Sequence, residues 1–362
     1  MHRPAPGRYV TVTTAGEPFR AFVPLPLPPD PPVVWSAALR RRFDAALVAL
    51  GRLDAVSALL PNAALLLYSF VRKEAVLSSQ IEGTQSSLAD LLLYEIDEQP
   101  GVPVDDAREV SRCVAALERG LKKLRGGLPL CTRLLCEMHE VLMSHPGDHG
   151  KTPGEVRQTQ VWIGGTRPGN AVFVPPPADA VPDGLAALER FLNDEPEPVP
   201  PLIKAALAHV QFETIHPFLD GNGRIGRLLI TFLLTEKRLL AKPVLYLSHY
   251  FKQHRREYYE HLQAVRDSGD WEGWLAFFLQ GVIEVSSEAT HTAAAILKMR
   301  EDYRARIADA LGRAAANGQR VMDRLFDHPI VSVATVREWL GLTPAGANQI
   351  VARLEGIGLL RE

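Results

Sequence analysis

The sequence predicts a mainly α-helical protein that carries one β-hairpin and a small helix-turn-helix tail. Three observations lead there. From about Trp35 onward, apolar residues recur three and four apart, as in FDAALVALGRLDAVSALL and NAALLLYSFVRKEAVLSS, which is the period of one helix face. The stretch QVWIGGTRPGNAVFVPPP breaks that period, with β-branched and aromatic residues on either side of a Gly-rich connection, the pattern of a hairpin. From Gln319, short helical patterns alternate with turn residues up to the final IGLLRE.

Taken in order, residues 1–35 hold nine of the 28 prolines, most of them in VPLPLPPDPP. Proline lacks the backbone donor and fixes its own φ, so this segment is expected to be a proline-rich extended arm. Residues 36–110 read as N-terminal helices and residues 111–285 as the core that carries the chemistry. Within that core, Val161, Trp162 and Ile163 face Val172, Phe173 and Val174 across the hairpin turn, and the acidic NDEPEPVPP separates the hairpin from the next helix. Residues 286–318 form a helical linker, and residues 319–362 resemble a winged helix-turn-helix domain.

In that tail, Val321, Leu325 and Phe326 begin an apolar face, and VSVATVREWLGL reads as a strand edge followed by a helix. Thr343-Pro344 then starts the would-be recognition helix ANQIVARLEGIG. Asn348, Gln349 and Arg353 are its candidate base contacts. From Arg320 to Glu362 there are five Arg and five acidic residues, so the electrostatic contribution to DNA binding is weak. Protein docking or dimerisation fits this tail nearly as well as DNA.

Composition narrows the class without selecting a function. The 362 residues are 46% apolar and 23% charged, with 40 Lys and Arg against 42 Asp and Glu, as in ordinary globular proteins. No apolar run reaches the roughly 18 residues needed to span a bilayer, and MHRPAPGRYVTV lacks the pattern of a secretory signal. A cytoplasmic location with no membrane partner is therefore expected. Cys113, Cys131 and Cys136 are too few for a disulfide framework or a four-ligand zinc site.

The chemistry is concentrated in His216-Pro-Phe-Leu-Asp220-Gly-Asn-Gly-Arg224-Ile-Gly-Arg227. Ile203, Ala206, Leu207 and Val210 precede it at helical spacing, and Ile225, Leu228, Leu229 and Phe232 follow it in the same way, so it is a loop between two buried helices. Gly221 and Gly223 around Asn222 let several N–H groups turn toward one point at the start of the second helix, which is an anion site. Arg224 and Arg227 lie on one face of that first turn, where cations are unfavourable unless an anion lies between them. Asp220 supplies a hard oxygen suited to Mg²⁺, and His216 titrates near neutrality and can accept a proton from a hydroxyl.

This stretch matches every fixed position of HxFx(D/E)GNGRxxR, the motif of the Fic family, which the sequence resembles over most of residues 60–285. VWIGG and FVPPP resemble that family's target-positioning flap, Gly154 and Arg157 match its lead-in PGExR, and YFKQHRREYY with GDWEGWLAFFLQGV resemble its closing helices. The resemblance implies AMP transfer from ATP to Tyr, Thr or Ser hydroxyls of a protein, the chain itself included. It assigns His216 as general base, Asp220 as the Mg²⁺ ligand, Gly221, Asn222 and Gly223 as the phosphate cradle, and Arg224 and Arg227 as partners of the outer phosphates. Val161, Trp162, Ile163, Phe173 and Val174 take the flap's role. In-line phosphorus transfer needs positioning and charge neutralisation rather than a protein nucleophile, and the residue set agrees.

Upstream, Ser78, Glu82 and Gly83 match the family's inhibitory motif (S/T)xxxE(G/N). By helix propensity alone Glu82 is a residue near a helix end with Gly83 as stop. By resemblance it reaches Arg227 and takes the place of the γ-phosphate, a brake acting in cis. Brakes of this kind are often coupled to dimerisation, so a homodimer is compatible with the resemblance. Two other functions remain open: removal of AMP by the same site, and a DNA-binding regulator that senses nucleotide. His139, His145, Asp148 and His149 match no zinc spacing and read as a loop with exposed imidazoles. Tyr250, Tyr258 and Tyr259 read as core aromatics ahead of nucleoside contacts or modification sites.

Overall fold

The computed structural model describes residues 5–14, 17–59, 63–95, 103–144, 150–193, 198–325, 328 and 330–361. His145, Asp148, His149 and Phe326 lie outside the described residues. The chain is mainly helical, as expected. Its centre is a pair of helices, α7 (Pro201–Ile215) and α8 (Asn222–Glu236). Nearly every residue from Leu202 to Ile215 and from Ile225 to Leu234 is buried, the mark of helices surrounded on all sides. Pro201 occupies the first position of α7, where a missing N–H costs nothing.

Around this pair pack α2 (Ala63–Glu82), α4 (Val104–Arg125), α5 (Thr132–Leu142), α6 (Val181–Leu192) and α10 (Arg255–Ser268). Three more helices complete the body: α1 (Ala37–Leu59), α3 (Leu88–Glu95) and the short α9 (Ser248–Gln253). One apolar core runs from Leu27 to Ala293, so the N-terminal helices and the central pair share it. Of the divisions expected from sequence, 110/111 falls inside α4.

A second, 285/286, falls inside α11 (Trp271–Leu311), and 318/319 falls inside the following helix, residues 315–325; the 41 residues of α11 extend about 60 Å. Its start is capped by Asp270, which accepts from Gly273 N at 3.0 Å. Its far end enters a second core from Ile307 to Leu354, shared with α12 (Ala315–Leu325), α13 (Val333–Leu340) and α14 (Pro344–Gly356).

Three sequence expectations need correction here. The N-terminal arm is extended, but its first part is a sheet: β1 (Gly7–Thr14) pairs antiparallel with β2 (Glu17–Pro24), Gly7 opposite Pro24 and Thr14 opposite Glu17. Pro18 and Pro24 stand at the two ends of β2, so neither interrupts the middle of the ladder. The flap hairpin is reduced to a single bridge, Ile163 with Phe173. A 3₁₀ turn at Pro168–Asn170 and the donor-less run Pro175–Pro177 leave no room for longer strands.

The third correction concerns the tail. The turn from Gly341 to Thr343 joins α13 to α14, but among the described residues no strand forms a wing. Ser332 caps α13 by accepting from Thr335 N at 3.1 Å, so the VSV segment enters a helix. After α14, Leu359 N and Leu360 N both donate back to Leu354 O, curling the end of the chain onto the helix. Asn348 and Gln349 are exposed, whereas Arg353 donates to Leu311 O at 3.3 Å.

Candidate active site

α7 stops at His216, whose φ of 50° leaves the helical region while its N–H still donates to Phe212 O at 2.9 Å. Pro217 cannot continue the helix. The loop then turns at Gly221, φ 76°, where a side chain would be strained and would press on Leu142, Met143 and His139. Asn222 locks this turn: its Oδ1 accepts from Phe218 N at 2.9 Å and its Nδ2 donates to Phe218 O at 2.8 Å. With its side chain so used, Asn222 has only its backbone N–H to offer an anion.

Two further supports fix the loop. His139 is fully buried in α5, not exposed in a loop as expected. It stacks on Phe218 with ring centroids 3.8 Å apart. Gly154 N donates to its Nδ1 at 2.9 Å, which leaves the proton on Nε2 to be donated to Asp220 O at 3.1 Å. Arg157, also buried, donates to four carbonyls: His216 at 2.8 Å, Thr159 at 3.0 Å, Pro176 at 2.6 Å and Ile215 at 3.4 Å. It thereby pins both legs of the flap to the His216 turn.

On the flap itself, Ile163 N donates to Phe173 O at 2.8 Å and Val172 N to Ile163 O at 2.9 Å. Phe173 and Val174 are buried, whereas Trp162 and Val172 are exposed. β2 continues the arrangement, with Phe22 N donating to Val174 O at 2.9 Å and Glu17 paired with Arg167. The Arg266 guanidinium lies 3.9 Å from the Phe173 ring centroid.

His216 is partly buried, and its Nδ1 is enclosed without a hydrogen-bond partner. Burial, aided by the nearby Arg266 charge, pushes its pKa down to about 4. The imidazole is therefore neutral at pH 7, with one ring nitrogen able to accept a proton.

The space at the start of α8 is occupied by protein. Arg227, 2% exposed, donates to Glu82 Oε1 at 2.6 Å, to Ser78 Oγ at 2.8 Å and to Ser78 O at 3.0 Å. Glu82 sits at the last turn of α2, which Gly83 ends with a φ of 118°. Its carboxylate lies so close to the first turn of α8 that a Cβ at Gly223 would overlap Oε1. Unpaired N–H groups and the helix dipole make that position favourable for an anion. Burial pushes the Glu82 carboxyl up, but the Arg227 charge and hydrogen bond, with Arg224 adding, hold it below the usual carboxylate range.

Arg224 donates to Glu109 Oε1 at 2.5 Å and lies 3.6 Å from Asp220 Oδ1. Asp220 is half-exposed, accepts from Gly221 N at 2.6 Å, and meets Lys151 Nζ at 2.7 Å. Burial pushes its carboxyl up, but Lys151, Arg224 and Gly221 N bring it below its ordinary value. A polar cavity of about 580 Å³ opens over these groups, lined by Glu82, Glu109, Lys151, Asp220 and Arg224 among others. Among the described residues no three or more His, Cys, Asp or Glu cluster to hold a metal by themselves. Asp220 offers a hard carboxylate ligand at the edge of this cavity. That fits Mg²⁺, which takes one or two carboxylates and completes its shell with phosphates and water.

Glu109, Lys151 and the clamps at His139 and Arg266 carried no signal in the sequence, since their partners lie far along the chain. Tyr258 is buried, with its hydroxyl 2.8 Å from His209 Nε2. Tyr250 is also core, and Tyr259 is exposed.

Residues 40–122 match the family described as Fic/DOC family N-terminal, and residues 129–234 the family described as Fic/DOC family. Together the two matches take in just over half of the chain. A protein of Culex quinquefasciatus named Protein adenylyltransferase Fic is 32% identical over 205 residues, 54% of this chain and 37% of that protein. The chain thus spans little more than a third of that relative's length. A Fic family protein from Desulfovibrio desulfuricans G20 has a similar structure, with a TM-score of 0.61 at 23% identity, covering 90% of this chain and 91% of that one; that likeness concerns the fold. Fic-1 from C. elegans superposes with a TM-score of 0.54 at 25% identity, over 72% of each chain. The motif loop, the flap and the two family matches agree, and the chain belongs to the Fic/DOC family.

Proposed function

We propose that the chain is a protein adenylyltransferase that moves AMP from ATP to a hydroxyl side chain of a protein and is held in check by Glu82. The observation that carries this reading is the Glu82 carboxylate seated on Arg227 and the first turn of α8, a place built for a phosphate and next to a neutral His216. The name carried by the Culex relative supports it.

In this reaction the target's hydroxyl oxygen attacks the α-phosphorus and gives its proton to His216. The new bond joins that oxygen to phosphorus, the bond to the β-phosphate bridging oxygen breaks, and pyrophosphate leaves. Arg224, Arg227 and the backbone N–H groups from Gly221 to Arg224 orient the phosphates and meet their charge. Asp220 would hold Mg²⁺, which when bound neutralises phosphate charge. The flap offers its exposed edge at Trp162 to an extended target segment through main-chain hydrogen bonds, which sets the hydroxyl in place with little demand on sequence.

The same cavity supports a second reading, because Glu82 is ionised and faces it: a water activated there could release AMP from a modified protein. ATP labelled at the α- or γ-phosphate separates these readings when incubated with Mg²⁺, cytosolic extract and either Glu82→Gly or Glu82→Gly/His216→Ala. AMP transfer requires protein labelling from α-labelled ATP alone, lost in the double variant. Labelling from γ-labelled ATP would mean phosphate transfer, and release of label from pre-modified protein by the wild type would favour AMP removal.

A further inference from the structure

We propose that Glu109 is a second carboxylate latch of the nucleotide site, covering Arg224 as Glu82 covers Arg227. The inference rests on the reading that this cavity takes a polyphosphate. Both guanidiniums project from the start of α8, and both are deeply buried, with side chains 6% and 2% exposed for Arg224 and Arg227. Their carboxylate partners are 33% and 35% exposed, respectively. In each pair the carboxylate is therefore the more exposed member; Glu82 and Glu109 both line the cavity, where Arg224 also shows an edge.

The two pairs have different neighbours. Arg227 is also bonded to Ser78 through two further contacts. The Nε of Arg224 is buried without a hydrogen-bond partner, so its short contact to Glu109 dominates its polar surroundings, with Asp220 Oδ1 farther away at 3.6 Å. Phosphate oxygens are strong, charge-matched acceptors for such a fork, and at the Nη1 of Arg224 they must compete with Glu109. Burial pushes the Glu109 carboxyl up, Arg224 pulls it part of the way back, and Asp220 and Asp106 push it up again. The balance leaves the Glu109 carboxyl above its ordinary value, whereas Glu82 is held below it.

The two latches also touch one another through the chain. Gln85 N, three residues after Glu82, donates to Asp106 Oδ2 at 2.8 Å, which ties the end of α2 to the first turn of α4, one turn before Glu109. Releasing Glu82 alone leaves Arg224 covered.

Calorimetric titration of the full chain with ATP and with AMP, each with Mg²⁺, tests this in wild type, Glu109→Gln, Glu109→Ala and Glu82→Gly. Glu109→Gln and Glu109→Ala are expected to bind ATP roughly fivefold more tightly than wild type, the scale of a partly exposed ion pair. AMP, which lacks the outer phosphates, should bind all forms alike. ATP binding that is unchanged or weaker in Glu109→Gln would overturn the latch, and weaker binding in Glu109→Ala alone would make Glu109 a support for Arg224. If an alanine variant does not fold, Glu109→Asp shortens the reach and should tighten ATP binding to a smaller degree. Tighter binding in Glu109→Gln with none in Glu82→Gly would retain this latch and remove the Glu82 brake. No ATP binding in any form would remove both.

Discussion

The two sides of His216 are built in opposite ways. On the phosphate side, buried arginines, a helix N-terminus and carboxylates from two other helices form a closed set of charge-assisted contacts: Arg227 with Glu82 and Ser78, Arg224 with Glu109. On the flap side, one β-bridge, a hydrogen bond from Phe22 to Val174, the Arg167–Glu17 pair and the Arg157 contacts at the base hold a flap whose Trp162 and Val172 are exposed. Under the proposed function, the phosphate side is assembled in advance and then blocked, and its activity would be set by competition for the arginines. The flap is a backbone edge with few side-chain demands, so under the proposed function selection of a target would fall to surfaces beyond it. Arg157, with its four carbonyl acceptors, joins the two sides.

The widest separation of the two sides comes from His216→Ala. Transfer should fall by about 10²- to 10⁴-fold, the usual contribution of a general base, while the Kd for ATP stays unchanged by calorimetry. A parallel loss of ATP binding would mean that His216 also serves the phosphate side. Next in size is the acid limb of the rate. Because burial lowers the His216 pKa to about 4, the imidazole remains a base throughout the range above that value. The transfer rate of Glu82→Gly should therefore fall about tenfold per pH unit only below pH 4, and a fall beginning near pH 6.5 would show an imidazole open to water.

Arg157→Ala sharpens the comparison from the joint. Leaving four carbonyls without their donor is expected to destabilise the fold by about 3 kcal/mol, read as a lower denaturant midpoint, and to lower transfer more than ATP affinity. Equal losses of both would place Arg157 on the phosphate side alone. The smallest effect belongs to the exposed pair on the flap: Glu17→Gln should change stability by less than about 1 kcal/mol and leave ATP binding as it was.

Legibility in the sequence follows the range of the interactions. The motif loop was readable because its chemistry is local: His216, Asp220, Arg224 and Arg227 lie within three turns of chain, and glycine at 221 and 223 has direct steric causes. The helix end at Glu82 and Gly83 is readable in the same way, but the Glu82–Arg227 contact spans 145 residues and is reached only through the family resemblance. Glu109 was not, because its partner is 115 residues away and nothing in DDAREV distinguishes a cavity carboxylate from a solvated one. The N-terminal ribbon was obscured by its prolines, although the alternation in YVTVTT and RAFV was a strand signal. His139 was misplaced because its histidine neighbours suggested a loop, whereas the helix buries it against Phe218. In the tail the helices followed their caps, Ser332 and Thr343, but the wing required pairing that short apolar segments do not specify.

The central claim is that Glu82 and the outer phosphates of ATP compete for Arg227. Its most direct test is the initial rate of AMP labelling against ATP concentration, measured side by side for wild type and Glu82→Gly with the same protein acceptor. The account predicts a faster rate for Glu82→Gly at every ATP concentration, with the largest ratio at low ATP, where a competing carboxylate matters most. Superimposable curves would contradict it, and would leave the 2.6 Å contact between Arg227 and Glu82 as a structural ion pair with no part in control.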